Sequence, residues 1–317
     1  MHDEGRLPIL YILSSSRSGS TLLSLMLGSL PGVLALGEFA RVWREGIERN
    51  HYCACGARFL DCPLWSGAIA DALGPCDAAR ARAFFRAEGP LHRRSRVLRP
   101  HYRLFQGPIG AAFHEALAAR IELYRALAKR AGASLLVDST KRPTYALAFR
   151  RHRAVDFRVI HLVRDARAVV YSNRRPKPSP LPGDPDHLMS TAPPPRVALR
   201  WTRLHLLAEL DVRPFLPTMR VYYEDLCRNP EREMRRILRF AGRPELARHF
   251  DPDAIRPENH MLQGNPIRYD RGPVRVRLDD AWRTEMPAKL QRTALARTWP
   301  LLALYGYLPP WRRRYDQ

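Results

Sequence analysis

LPILYILSSSRSGSTLLSLMLGSL, residues 7–30, is the stretch on which the reading of the fold turns. Its first part, LPILYIL (7–13), is a short apolar run that ends at small polar residues, as a strand buried in a parallel sheet does. From Gly19 onward the apolar positions change period. Leu22, Leu23, Met26, Leu27 and Leu30 recur at helical spacing until Pro31 and Gly32 stop the pattern. Between strand and helix lies SSSRSGST, residues 14–21. A strand, a small-residue turn and a helix together aim several backbone N–H groups and a helix dipole at one spot, which suits a phosphate. Ser14, Ser15, Ser16, Ser18, Ser20 and Thr21 add hydroxyl donors, and Gly19 permits close backbone approach. A serine-rich turn with an ordinary helix cap is the plainer alternative.

The same alternation continues along the chain. VLAL (33–36) reads as a second strand leading into Gly37 and Glu38, followed by an irregular insertion that carries cysteines and runs to about residue 75. Helical stretches follow near 78–87 and 109–131. SLLVDST (134–140) and FRVIHLV (157–163) are further strands with polar residues at their ends, and TMRVYYEDL (218–226) supplies a fifth strand and the start of a helix. Alternating strand and helix predicts a parallel sheet with helices on both faces, and ligands in such sheets sit outside the carboxyl ends of the strands. A loop at 175–195 with eight prolines and a long polar connection at 251–277 interrupt the pattern, before a helix expected from near Asp279. There are no internal repeats. The length fits a single domain, 1–317, with the cysteine insertion at about 51–76 and the proline-rich loop as additions.

Composition narrows the partners. With 45% apolar residues the 317-residue chain has enough for a sizeable core, and its formal net charge of +22 favours anionic partners. Nearly all the positive charge is arginine. The lysines are Lys129, Lys141, Lys177 and Lys289, so a lysine inside a motif-like stretch, as Lys141 is, carries extra weight. The start, MHDEGR, holds acids where a secretory leader needs a basic patch. No run approaches the roughly 20 apolar residues of a spanning helix. A cytoplasmic protein is expected. Cys53, Cys55 and Cys62 cluster, with Cys76 further on and Cys227 remote. Zinc ribbons and fingers show a C-x-x-C pair at each end, which is missing here. The expectation is therefore a thiol-rich structural insertion and no metal, with a zinc site from Cys53, Cys55, Cys62 and Cys76 as the alternative.

The obvious rival for the 14–21 loop is a Walker A loop, GxxxxGK[ST]. Superposing Gly19, Ser20 and Thr21 on its last three residues puts Ser14 at the first glycine and Ser20 at the lysine. A kinase or ATPase needs that lysine on the terminal phosphates. A basic residue appears instead at Arg17, two positions before the glycine. Asp138 and Asp165 are the available candidates for a Walker B aspartate.

With Arg17 in that place, the loop resembles the 5′-phosphosulfate-binding loop of the PAPS-dependent sulfotransferases. The second signature of that family is a strand followed by an arginine and, eight residues later, a serine that grip the 3′-phosphate. VIHLVRDARAVVYS is similar to it, with Arg164 and Ser172 in register. PAPS carries anionic groups at two separated places, so two basic-plus-hydroxyl grips at strand ends are what its recognition requires. The resemblance implies a three-layer α/β fold with a central parallel sheet, of P-loop NTPase-like sulfotransferase architecture.

Further matches place further roles. LALGEFARVW looks like the segment that, in the carbohydrate and tyrosylprotein branches, presents the general base, which makes Glu38 the residue to take the acceptor's proton. LLVDSTKRP resembles the stretch whose lysine sits near the transferring group. Lys141, with Arg17, would neutralise the charge that builds as PAP leaves. Donor binding by Arg17, Ser18, Gly19, Ser20, Thr21, Arg164 and Ser172 is implied. HMLQGNPIRYD resembles the loop that closes over the nucleotide, with Gly264, Asn265 and Arg268 as contacts. VYYEDLCRNPEREMRRILRFAG looks like a helical region of the family and reads as fold. The chain departs from the cytosolic aryl and steroid branch, which has a Lys-x-Gly loop and a catalytic histidine.

The resemblance implies O-sulfation of a hydroxyl-bearing acceptor (a glycan, a lipid-linked sugar or a metabolite) without a metal. A kinase-like phosphotransferase and a basic module for nucleic acid or an anionic surface are the alternatives. Clusters at 93–94, 150–153 and 312–314, and the apolar tail TWPLLALYGYLPPW beside the last of them, motivate the latter, including peripheral membrane contact. No nucleic-acid-binding motif accompanies these arginines, and nucleic acid is not expected as a partner.

Overall fold

The run 7–13 forms β1 (Leu7–Ser14), and from Ile9 onward each of its residues is buried. A strand covered on both faces needs apolar residues throughout, which is why LPILYIL shows no alternation. In the computed structural model, residues 5–92, 108–150, 152–175, 191–255, 259–270 and 272–308 are described. β2 (Val33–Gly37), β3 (Leu135–Asp138), β4 (Val155–Val163) and β5 (Thr218–Tyr222) join β1 in a parallel sheet ordered β2-β3-β1-β4-β5. β1 is central and pairs with β4 from Leu7↔Val155 to Ser14↔Leu162. The carboxyl ends of β1 and β4 therefore lie side by side, and those of β2 and β3 do the same through the Gly37↔Asp138 pairing.

The helices are α1 (Ser20–Gly28), α2 (Pro63–Leu73), α3 (Ala78–Ala87), α4 (Gly89–His92), α5 (Pro108–Arg130) and α6 (Pro143–Ala148) in the first half. The second half holds α7 (Ala166–Arg174), α8 (Pro194–Leu207), α9 (Tyr223–Arg228), α10 (Pro230–Phe240), α11 (Trp282–Glu285) and α12 (Ala288–Leu304). Successive side chains of a strand point to opposite faces. Ile9, Tyr11 and Leu13 accordingly enter one core with residues of α2, α3, α5 and α6, while Leu10 and Ile12 enter another with residues of α1 and α10. A third cluster joins Val163 to α7, α8 and α12. This is an α/β fold, a five-stranded parallel sheet between helical layers.

Three expectations are corrected. The cysteine insertion is not irregular throughout: α2 occupies its second half, with Pro63 in the first turn, where a missing N–H costs nothing. Its buried Trp65, Ala68 and Ile69 stand at helical spacing. The helix expected from near Asp279 is two pieces, because Pro287 ends α11 and opens α12. α1 stops at Gly28, short of Leu30. The proline-rich loop falls mostly on 176–190, outside the described residues, and its last two prolines already belong to α8. Among the described residues no helix is long and apolar enough to cross a membrane.

Candidate functional site

The loop between β1 and α1 is buried apart from Ser16, which is exposed, and Gly19, which is partly so. Ser14, Ser15, Ser18, Ser20, Thr21 and Arg17 all lie below the surface, and the Ser15 and Ser18 hydroxyls share a hydrogen bond of 2.6 Å. Arg17 takes a left-handed conformation, φ 66°. That is unfavourable for a residue with a Cβ, by about 1–2 kcal/mol, and such strain concentrates at functional sites. Its Nη2 donates to the Arg175 carbonyl at 3.3 Å, while Nη1 has no partner. Burial, and then the nearby Arg175 charge, pull the Arg17 pKa below the ordinary arginine value. Gly19, at φ 87°, lies so close to Tyr223 that a Cβ there would stand 2.4 Å from the ring.

Arg164 follows β4 and reaches this loop directly. Its Nη1 donates to the Arg17 carbonyl at 2.9 Å, and its Nη2 meets the Asp279 carbonyl at 2.6 Å and the Asp279 carboxylate at 3.1 Å. Its Nε is buried without a partner. The guanidinium stands over the Tyr223 ring, 4.4 Å from its centroid. Asp165 caps α7 by accepting from the Arg167 amide, and Ser172 lies buried further along the same helix. Adjacent strand ends thus bring Arg17 and Arg164 together.

A second constellation forms at the ends of β2 and β3. The Glu38 carboxylate is held between Lys141 Nζ at 2.9 Å and Arg41 Nε at 2.7 Å. Burial alone would raise the Glu38 pKa. The charges of Lys141 and then Arg41 outweigh it and hold the carboxyl well below the usual carboxylate range. Lys141, like Arg17, is left-handed, with φ 67°.

The segment 259–270 crosses both constellations as a strap. The Leu262 amide donates to the Leu36 carbonyl at 2.9 Å, and the Glu38 amide donates to the Leu262 carbonyl at 2.8 Å. Close passage requires glycine at 37, since a Cβ there would stand 2.4 Å from the Leu262 oxygen. Further on, the Asn265 amide donates to Thr21 Oγ1 at 3.1 Å, and Gly264 passes the same side chain. Arg268 is buried, spends Nη1 on the Gly264 carbonyl and Nη2 on the Tyr269 hydroxyl, and leaves Nε without a partner.

Sequence reading missed four participants. Tyr223 belongs to a stretch read as fold, yet it packs against both Gly19 and Arg164; its place just after β5 was the available signal. Arg41, Arg175 and Asp279 become visible only through their contacts. The two aspartates weighed as Walker B candidates are committed elsewhere. Asp138 accepts from Tyr124 at 2.6 Å and from the Thr140 amide at 2.8 Å, and Asp165 pairs with Arg167 at 2.6 Å. The arginine clusters at 93–94 and 312–314, and Arg151, lie outside the described residues.

Among solved structures, the chain is similar to the sulfotransferase domain of the Synechococcus PCC 7002 olefin synthase, with 21% identity, 95% of this chain and 96% of that chain covered, and a TM-score of 0.48. A sulfotransferase domain from the curacin biosynthetic pathway follows, with 20% identity, coverage of 93% and 98%, and a TM-score of 0.47. Retinol dehydratase in complex with androsterone and inactive cofactor PAP shares 11% identity over 94% of this chain and 81% of that chain, with a TM-score of 0.32. A search of curated proteins finds no match. Residues 8–248 match the sulfotransferase family, a span that contains the 14–21 loop, Glu38, Lys141, Arg164 and Ser172. With most of its length matched, the chain belongs to the sulfotransferase family.

Proposed function

We propose that this sulfotransferase moves the sulfuryl group of PAPS to a hydroxyl of an acceptor, with Glu38 as general base. The observation that carries the reading is the Arg17–Arg164 junction: two buried guanidiniums, joined through the Arg17 carbonyl, each with one donor nitrogen lacking an acceptor. Buried donors without acceptors are costly, and charged ones more so. A ligand with phosphate or sulfate oxygens at two separated places relieves both, so the residues present fit PAPS. The loop of 14–21 would hold the 5′-phosphosulfate, Arg164 and Ser172 the 3′-phosphate, and Arg268 the covering strap.

The bound donor supplies an electrophilic sulfur and PAP as leaving group. Glu38 is ionised at neutral pH and accepts the hydroxyl proton as the acceptor oxygen attacks. Held by two cations it is a weak base. An anion in the loop competes for Lys141, and a carboxylate that keeps only Arg41 is the stronger base. Lys141 and Arg17 then face the charge that develops on the leaving oxygen. The net charge of +22 favours an acceptor that is itself anionic.

Calorimetric titration with PAP, ATP and a short DNA duplex, with and without magnesium, tests the reading. Metal-independent PAP binding that weakens about 10- to 100-fold in Arg164→Ala supports it, since a hydrogen bond to a charged group contributes about 1.5–3 kcal/mol. Preference for magnesium–ATP would return the protein to the phosphotransferases, and preference for the duplex to the nucleic-acid binders.

A further inference from the structure

The spacing of the cysteine insertion predicts no metal and offers Cys53, Cys55, Cys62 and Cys76 as the alternative zinc ligands. Folding regroups them. Cys76 lies apart, and Cys53, Cys55 and Cys62 converge on His260, a residue of the strap 198 positions beyond Cys62. The four ligand atoms lie within 4.8 Å of one another, with His260 Nδ1 at 3.2 Å from the Cys62 sulfur and 3.7 Å from the Cys53 sulfur. Zinc bound by sulfur at about 2.3 Å and nitrogen at about 2.0 Å sets tetrahedral ligand–ligand edges of about 3.5–3.8 Å. The cluster is near that size already and closes to it by small side-chain movements.

The surroundings are those of a site built to hold an ion. Cys53 and Cys55 belong to one tight turn, in which the Gly56 amide donates to the Cys53 carbonyl at 2.9 Å. Cys62 is the N-cap residue of the 11-residue α2, whose positive end stabilises a thiolate. His260 is fixed through its backbone, where the Trp65 indole donates to its carbonyl at 2.8 Å. Cys53 and Cys62 are buried, and all five cysteines are free thiols. One disulfide would use two of the three sulfurs and leave the third and the imidazole with nothing to do.

We infer that Cys53, Cys55, Cys62 and His260 form a closed tetrahedral zinc site that fastens the strap 259–270 over the donor loop. Three thiolates and one imidazole are a zinc donor set, and four protein ligands mark a structural ion rather than a catalytic one. The Cys53↔Leu262 bridge and the Ala54 amide on the Met261 carbonyl, 3.2 Å, carry the fastening straight to Leu262, whose backbone holds Glu38. A further contact of the strap, Asn265 on Thr21, ties the same ion to the anion loop.

The test is elemental analysis of the full chain after dialysis against buffer with a thiol reductant. About one zinc per chain is expected in the wild type and in Cys76→Ser, and less than about a tenth of that in Cys62→Ser and His260→Ala. Because those two variants can misfold, metal-stripped wild type is also titrated with cobalt. The visible bands of a tetrahedral site and a thiolate-to-cobalt charge-transfer band, both displaced by zinc, are expected. Wild type that binds PAP yet carries no zinc and gives no thiolate–cobalt spectrum would overturn the inference, as would full zinc occupancy in Cys62→Ser. Zinc content is read without donor or acceptor, so zinc without PAP binding would sink the donor reading and leave this one standing.

Discussion

Glu38, Lys141 and Arg41 share one carboxylate, and the partition of charge among them sets what Glu38 can do. Glu38→Gln should leave PAP affinity within about twofold and lower kcat by about 10²–10⁴, the usual worth of a positioned base; unchanged turnover would remove Glu38 from that role. Lys141→Met removes the larger of the two charges that depress the Glu38 pKa. The acid limb of the kcat/KM profile should then move to higher pH, a shift that a purely structural lysine would not produce. Stability follows the same sign. The folded value lies below the unfolded one, so the contribution of ionised Glu38 is complete above about pH 4.3 and is lost as pH falls through the folded value. None of this was legible at the sequence level beyond the identities of Glu38 and Lys141. Arg41 stood in the quoted segment LALGEFARVW, but a helix-start arginine and a clamp look the same until the turn at 39–41 points it back.

At the scale of elements, the β1–α1 turn is fixed from outside by Tyr223, which fills the space a side chain at 19 would need. Gly19→Ala adds a Cβ 2.4 Å from the ring in a backbone conformation unfavourable to alanine. Overpacking and strain of this kind cost about 1–3 kcal/mol each. The variant should melt lower in a thermal scan and bind PAP more weakly than the wild type. Four of the five strands were legible because their signal is local, an apolar-rich run ended by polar residues. α2 was not, because cysteines, glycines and prolines around it read as punctuation while Trp65, Ala68 and Ile69 kept the helical period unnoticed. His260 was beyond reach for a different reason. Its partners are contributed by a segment about two-thirds of the chain away, and no periodicity connects them.

Across the whole molecule, the deepest charges among the described residues form a pair beneath the Glu38 turn. Arg120 and Glu88 are each 1% exposed and form a two-pronged pair, with Nε on Oε1 at 2.8 Å and Nη2 on Oε2 at 2.7 Å. Trp43 and Tyr145 donate to the same carboxylate, and Arg120 Nη1 donates to the Phe39 carbonyl, next to Glu38. Burial works against the Arg120 charge, but Glu88 outweighs it and raises the pKa above the ordinary arginine value. In the sequence, Arg120 looks like one more solvated arginine of a long helix. Arg120→Met leaves a buried carboxylate unmatched and should cost about 3–5 kcal/mol in urea denaturation, with much of the loss recovered when Glu88→Gln is added. Surface charge acts over a longer range: KM for an anionic acceptor should rise with salt as the Debye length falls below about 10 Å.

The strap also has a bearing on self-association. β2 is an edge strand of the sheet, and the hydrogen bonds that Leu262 exchanges with Leu36 and Glu38 cover the end of its outer edge. An uncovered strand edge is a template for another chain. Loss of the strap would bare the carboxyl end of β2, whose five residues VLALG carry no charge, to a second molecule. Preparations in which 259–270 has come away should therefore be recognised by sheet-mediated oligomers in light scattering before any loss of secondary structure.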